Sequence, residues 1–189
     1  VSRGALDRHM NQMADEEKLL RSMRAFDQAA LAEAYDTYSP RLYRYAWRLL
    51  GDAALAEDCV ADTFTRLLRA LAEGGGPRGH LQAYLYRTAH NWVTDYYRRR
   101  RSVSELSAAY PDAGVSPGEA AERNLRQDAL RTALARLTPD QRQVVALKYL
   151  EGWTNEDAAR ALGKPVTAVK ALQHRALAAL HKLLAEEET

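Results

Sequence analysis

Apolar side chains recur every three or four residues along most of this chain and rarely alternate with period two. Phe26, Ala30, Leu31, Ala34, Tyr35 and Tyr38 make one such stripe, and Leu42, Tyr45, Ala46, Leu49 and Leu50 make the next. Ser39 and Pro40 stand between them, where a helix is expected to break and restart. Gly51 and Asp52 end this region, and Leu55, Cys59, Val60, Phe64, Leu67, Leu68 and Leu71 predict a helix over 53–72. Glu73, three glycines and Pro77 then read as a loop. A further helix over 81–101 carries Leu85, Ala89, Trp92, Val93 and Tyr96 and ends in four arginines.

Periodicity is lost over 102–123, where Pro111 and Pro117 interrupt a stretch of small, polar and acidic residues. Helical spacing resumes over 124–137. Thr138, Pro139 and Asp140 signal the start of a helix over 139–151. The pattern predicts an all-α protein of two small helical domains joined by a flexible linker. The expected divisions are an N-terminal extension at 1–25, a first domain at 26–101, an acidic linker at 102–123 and a second domain at 124–189.

The stretch 154–176 carries a helix-turn-helix pattern. Thr154 suits an N-cap, with Asp157 three residues on. Ala158, Ala159 and Leu162 form the apolar face of a short helix, and Gly163 supplies the turn. Pro165 opens a second helix, expected to reach residue 184, with Glu186–Glu188 as a frayed tail. Val169, Leu172 and Ala176 share one face of it, while Lys170, His174 and Arg175 share another. An apolar face opposite a basic one is what a recognition helix brings to the major groove. Lys170 and Arg175 would reach guanine edges or phosphates, with Thr167 and His174 adding base or backbone contacts.

Composition narrows the function classes. The chain has 189 residues, of which 47% are hydrophobic, enough for a core. No apolar run reaches the length of a membrane span, so membrane insertion is not expected. The first ten residues lack the apolar stretch of a signal peptide and read as an extension, in part a tag. Cys59 is the single cysteine, which excludes an intramolecular disulfide and a cysteine-rich zinc site, and it falls on an apolar helix face that makes it core. A reducing, cytoplasmic setting fits. His9, His80, His90, His174 and His181 show no metal-ligand spacing, so no metal, cofactor or catalytic site is expected. The net charge of +2 says little by itself, but its distribution is uneven. Residues 102–124 hold four acidic and one basic side chain, between two mildly basic blocks.

Two further constellations bear on function. In 80–101, aromatic and basic side chains interleave on one helix. Extruded bases stack on aromatic rings while arginines neutralise phosphates, and Asn91 can hydrogen-bond a base. The competing expectation is that Tyr84, Tyr86, Trp92 and Tyr96 are core and the arginines solvated. Over 56–64, Glu57, Asp58 and Asp62 share an exposed helix face, unsuited to DNA phosphates but suited to a basic protein partner.

These residues carry a family resemblance. The segment GDAALAEDCVADTFTRLL followed by QAYLYRTAHNWVTDYYRRR resembles sigma domain two, and LTPDQRQVVALKYLEGWTNEDAARALGKPVTAVKALQHRAL resembles sigma domain four. Over residues 26–184 the chain resembles the extracytoplasmic-function (ECF) group of bacterial RNA polymerase sigma factors. The resemblance implies a promoter-specificity subunit that is not an enzyme. It implies that Glu57, Asp58 and Asp62 dock on the β′ clamp helices of core RNA polymerase, with the β flap as a second polymerase contact. Tyr84, Arg87, His90, Asn91, Tyr97, Arg98, Arg99 and Arg100 would bind and melt the −10 element of promoter DNA. Thr167, Lys170, Ala171, His174 and Arg175 would face the −35 element. The acidic linker would run toward the polymerase active centre and RNA exit path, and an anti-sigma factor is an implied partner. The chain departs from the family in having Tyr84 where Trp is frequent, His90 where Arg is frequent, and Ala171-Leu172-Gln173 where Ser-Arg-Leu is common. A stand-alone regulator with the same helix-turn-helix is the alternative, but it would need neither the arginine-aromatic helix nor the acidic face.

Overall fold

The structure is a computed structural model that describes residues 15–104 and 119–187, and every regular element among them is helical. The elements are α1 (15–24), α2 (Gln28–Leu50), α3 (Ala53–Ala72), α4 (Leu81–Ser104), α5 (Glu119–Arg136), α6 (Pro139–Val145), a π-helical turn (Ala146–Leu150), α7 (Asn155–Leu162) and α8 (Val166–Glu187).

Helices α1 to α4 build the first unit. Asp27 caps α2 by accepting from the Ala30 amide at 2.9 Å, and Asp52 caps α3 from the Leu55 amide at 2.9 Å. Between them Gly51 turns the chain at φ 74°, a left-handed conformation costly for a residue with a Cβ. Helix α2 does not break at Ser39-Pro40; it runs through Pro40 as one helix. Pro40 lies on the exposed face, while Ala34, Leu42, Tyr45, Ala46 and Leu49 on the other face are fully buried against α3 and α4. A mid-helix proline costs about 3 kcal/mol. Burying each large apolar side chain returns about 1.5–3 kcal/mol, so a continuous stripe outweighs one interruption.

The chain N-terminal to residue 26 is likewise part of the fold. Leu20 and Met23 of α1 are buried in the core. The Glu16 carboxylate accepts from the Leu81 amide at 2.6 Å, capping the start of α4 from another helix, and Arg24 donates to the Pro77 carbonyl at 2.5 Å. A division at residue 26 would strip these contacts.

Helix α5 begins at Glu119, before the helix start expected at 124. Helix α4 continues to Ser104, so helices enter both ends of the expected linker, and 105–118 lie outside the described residues. Thr138 opens α6 with a reciprocal cap: its hydroxyl takes the Gln141 amide, and the Gln141 side chain takes the Thr138 amide. The buried Arg142 donates to the carbonyls of Leu134, Ala135 and Leu137, closing the C-terminal end of α5. The helix expected over 139–151 changes to π geometry at Ala146. Leu147 points into the core and Tyr149 stands exposed.

The two units are packed together. Helix α7 lies on α4, and α5 and the π-turn lie on α2. Arg48 donates to the Leu150 carbonyl at 2.5 Å and pairs with Glu151 at 3.1 Å. Tyr86 donates to the other Glu151 oxygen at 2.7 Å, and its ring meets Trp153 edge-on at 4.8 Å between centroids. Arg131 sits 5.0 Å over the Trp47 ring and Arg142 4.4 Å over the Tyr97 ring. None of these pairs has a local sequence signature, because the partners lie far apart along the chain.

Candidate nucleic-acid interface

The helix-turn-helix is assembled by local rules. The Thr154 hydroxyl accepts from the Asp157 amide at 3.1 Å and donates to the Asp157 carboxylate at 2.6 Å. That bond and the neighbouring Arg160 hold the Asp157 carboxyl below its ordinary range, against a desolvation effect that acts the other way. Gly163 ends α7 at φ 65°, and the Val169 amide bonds back to the Pro165 carbonyl as α8 starts. Val169, Ala176 and Leu180 of α8 are buried. On its opposite side Thr167, Lys170, Ala171, His174 and Arg175 are all exposed, at spacings of three and four residues. Among the described residues Arg175 bonds back to the Ala171 carbonyl of its own helix, at 3.3 Å. The five −35 candidates therefore share one open face. Gln173 is drawn away from them, donating to the Tyr149 hydroxyl at 2.7 Å.

Helix α4 divides the −10 candidates. Asn91, Arg98, Arg99 and Arg100 are exposed, with Arg98 paired to Asp95 at 3.1 Å. Such an exposed pair is worth well under about 1 kcal/mol and leaves the arginine available to a phosphate. Tyr84 is half-buried. Trp92, neither core nor fully open, is half-buried and stacked on Tyr96 with parallel rings 6.0 Å apart.

The remaining three candidates, Arg87, His90 and Tyr97, face the second unit or the core. Arg87 donates from Nε to the Ala161 carbonyl at 2.5 Å and from Nη2 to the Arg160 carbonyl at 2.6 Å, so it caps the C-terminal end of α7. His90 is 2% exposed. Its Nε2 lies 2.9 Å from the Pro139 carbonyl and its Nδ1 2.7 Å from the Tyr45 hydroxyl. A carbonyl only accepts, so Nε2 carries the proton and Nδ1 accepts from Tyr45. Burial, then the Arg142 charge, lowers the His90 pKa to about 3 and keeps the ring neutral. The Tyr97 hydroxyl donates to the Leu49 carbonyl, and its ring lies under Arg142. In this arrangement neither His90 nor the Tyr97 hydroxyl is presented to a ligand.

On α3, Glu57 and Asp58 are exposed and form no ion pair among the described residues. Asp62 is half-buried and bonded to Arg66 at 2.5 Å. The open charge of this face therefore sits on Glu57 and Asp58. Cys59, on the opposite side of α3, is fully buried beside the Ala89 carbonyl, and burial pushes its thiol pKa up to about 12. No described helix is long and apolar enough to cross a membrane.

Sequence reading missed Arg48, Glu151 and Trp153, which hold the two units together. Trp153, a large aromatic directly after Gly152, was the one available signal, and nothing local marks what it packs on.

Comparison with known proteins agrees with this geometry. Residues 34–103 match Sigma-70 region 2, and residues 127–180 match Sigma-70, region 4. The chain is 33% identical over 162 residues to the ECF RNA polymerase sigma factor SigL of Mycobacterium tuberculosis, covering 84% of this chain and 92% of SigL. It is 33% identical over 174 residues to the ECF RNA polymerase sigma factor BldN of Streptomyces coelicolor, covering 90% of this chain and 66% of BldN. Among solved structures it is similar to the sigma factor RpoE in complex with the anti-sigma factor NepR from Bartonella quintana. That likeness has a TM-score of 0.57 and 26% identity, covering 82% of this chain and 96% of that one. With both sigma regions present in order and SigL matched over nearly its whole length, the chain belongs to the ECF RNA polymerase sigma factors, which act in promoter recognition and transcription initiation and are not enzymes.

Proposed function

We propose that the outward face of α8 reads the −35 element of a promoter through Thr167, Lys170, Ala171, His174 and Arg175. The observation that carries this reading is their common exposure on a helix whose other face is buried. Lys170, His174 and Arg175 supply donors for guanine edges and phosphates, while Ala171 offers only a methyl contact. Asn91, Arg98, Arg99 and Arg100 bind the −10 region with the half-buried Tyr84 beside them, and Arg87, His90 and Tyr97 contribute once the units separate. Captured bases and neutralised phosphates offset the cost of unstacking, a few kcal/mol per step. Glu57 and Asp58, with Asp62, dock on the β′ clamp helices of core polymerase, and the second unit contacts the β flap. The protein works in the cytoplasm. An anti-sigma factor holds it inactive, in keeping with the RpoE structure, whose partner is one.

The test is run-off transcription over a genomic promoter library, paired with binding titrations. Lys170→Ala with Arg175→Ala abolishes −35-dependent initiation and lowers the salt slope of DNA binding by about one unit per lost phosphate contact, while core polymerase binding persists. Loss of core binding by that double variant would contradict the division of labour. Asp58→Arg weakens core binding in a salt-controlled titration; unchanged affinity removes the clamp-docking assignment.

A further inference from the structure

We propose that α1 braces the −10 reader: Glu16 and Arg24 are positioning residues that fix the start of α4, and cutting either tie slows promoter opening while core polymerase binding persists. The inference rests on the promoter reading above. Helix α1 precedes residues 34–103, the span that matches Sigma-70 region 2. Glu16, Leu20, Met23 and Arg24 recur at helical spacing and share one face of it. Leu20 and Met23 are buried, so the charged groups on either side of them are held at fixed places.

The residues just before α4 specify no helix start of their own. Gly74 and Gly76 hold φ 73° and 83° in the preceding loop, and glycine gives a loop little conformational preference. The first α4 bond runs from the Tyr84 amide to the His80 carbonyl, at 3.1 Å. A capping residue sits in the extended region and offers a side-chain oxygen, as Asp27, Asp52, Thr138 and Thr154 do for α2, α3, α6 and α7. His80 holds φ 54° and has no side-chain oxygen. The Glu16 carboxylate takes that role from 65 residues away, accepting from the Leu81 amide at 2.6 Å. Its charge complements the positive end of the helix. Arg24 fixes the approach, donating to the carbonyl of the buried Pro77 at 2.5 Å.

A helix is stiff, so its first turn sets where the rest of it stands. Tyr84 lies in that turn, and Asn91 follows about 15 Å along the axis from Leu81. By contrast the core-polymerase candidates Glu57 and Asp58 stand on α3, which is capped by its own Asp52. The two ties of α1 therefore act on the −10 reader and leave the polymerase-docking face alone. Losing a helix cap lowers the population of the ordered turn roughly fivefold. With its first turn frayed, α4 offers Tyr84 and Asn91 in binding geometry less often, and the rate of opening falls with that fraction.

The test uses holoenzyme assembled from the full-length protein and core polymerase, on a promoter recovered from the run-off screen and carrying 2-aminopurine in its −10 element. Opening is followed as the rise in 2-aminopurine fluorescence, and core affinity by titration. Glu16→Ala and Arg24→Ala are each expected to slow opening by about fivefold, with core affinity unchanged. Glu16→Gln keeps an acceptor for the Leu81 amide and Arg24→Lys keeps a donor for the Pro77 carbonyl, so both are expected to restore most of the rate. A helix that served only the stability of the fold would lower the unfolding temperature of the alanine variants and leave the opening rate per active holoenzyme unchanged; that result overturns the proposal. Equal slowing in the alanine and the conservative variants overturns it too. Circular dichroism checks the fold. If Glu16→Ala loses helix beyond the first turn of α4, Arg24→Ala, which leaves Leu81 capped, decides alone. Asn91→Ala combined with Arg99→Ala is run alongside. If that pair leaves the rate unchanged, the promoter reading falls and the brace with it; if it slows opening and the α1 variants do not, the brace alone has failed.

Discussion

The Arg87 guanidinium closes over the turn at Gly163: a Cβ on residue 163 would stand 3.0 Å from Arg87 Nη2. Gly163 also holds φ 65°. One residue therefore meets two independent demands, a left-handed backbone and room for a side chain arriving from the other unit.

Gly163→Ala strains both. The left-handed conformation costs an alanine roughly 1–2 kcal/mol, and the added methyl crowds the Arg87 guanidinium, which must shift from its seat on the α7 carbonyls. Thermal unfolding of the variant is expected several degrees below that of the starting protein. An equal or higher Tm would show that the turn relaxes freely and that Arg87 is not seated there.

His90 ties stability to pH. In the folded protein its pKa is lowered to about 3, whereas an unfolded histidine titrates near 6.5. Between those values the unfolded chain binds the extra proton, so stability rises with pH. The contribution is fully present above about pH 6.5 and declines as the pH falls below it, by less than about 1.4 kcal/mol per unit. Urea titrations between about pH 5 and 6.5 should show this slope in the parent and a flatter one in His90→Gln. Equal slopes would assign the dependence to other groups.

Cys59 should be chemically silent in the native state. It is fully buried, and its pKa of about 12 leaves almost no thiolate at neutral pH. Ellman's reagent is expected to react at the rate of unfolding, releasing one equivalent in urea. Fast labelling of the folded protein would refute the burial of α3 against α4.

Leu20 anchors α1 in the core, 1% exposed. Leu20→Ala is expected to cost about 2–5 kcal/mol in chemical denaturation, the range for a large-to-small change in a filled interior. A loss below about 0.5 kcal/mol would return α1 to the status of a dispensable extension.

Where the controlling interactions lie within one helix or one turn, sequence alone sufficed. Thr154, Gly163 and Pro165 set the helix-turn-helix through caps and a left-handed turn, each a matter of a few neighbouring atoms. The alternation of Val169, Leu172 and Ala176 with Lys170, His174 and Arg175 assigned the buried and open faces of α8 for the same reason. Local rules misjudged Pro40, because the stripe buried on either side of it outweighs one lost hydrogen bond, and that sum exists only in the packed core. They also set aside α1, since Leu20 and Met23 show too short a pattern until α2 and α4 provide somewhere to bury them. Above all, no periodicity could foretell that Arg87 would meet Ala161, that Glu151 would meet Arg48 and Tyr86, or that His90 would be shut in beneath Pro139. Those contacts join residues 49 to 103 positions apart. Sequence determined two helical units and the faces of α8; the tertiary structure decided that α6 and α7 of the second unit pack on α4 of the first, because only folding brings such distant groups within hydrogen-bonding range.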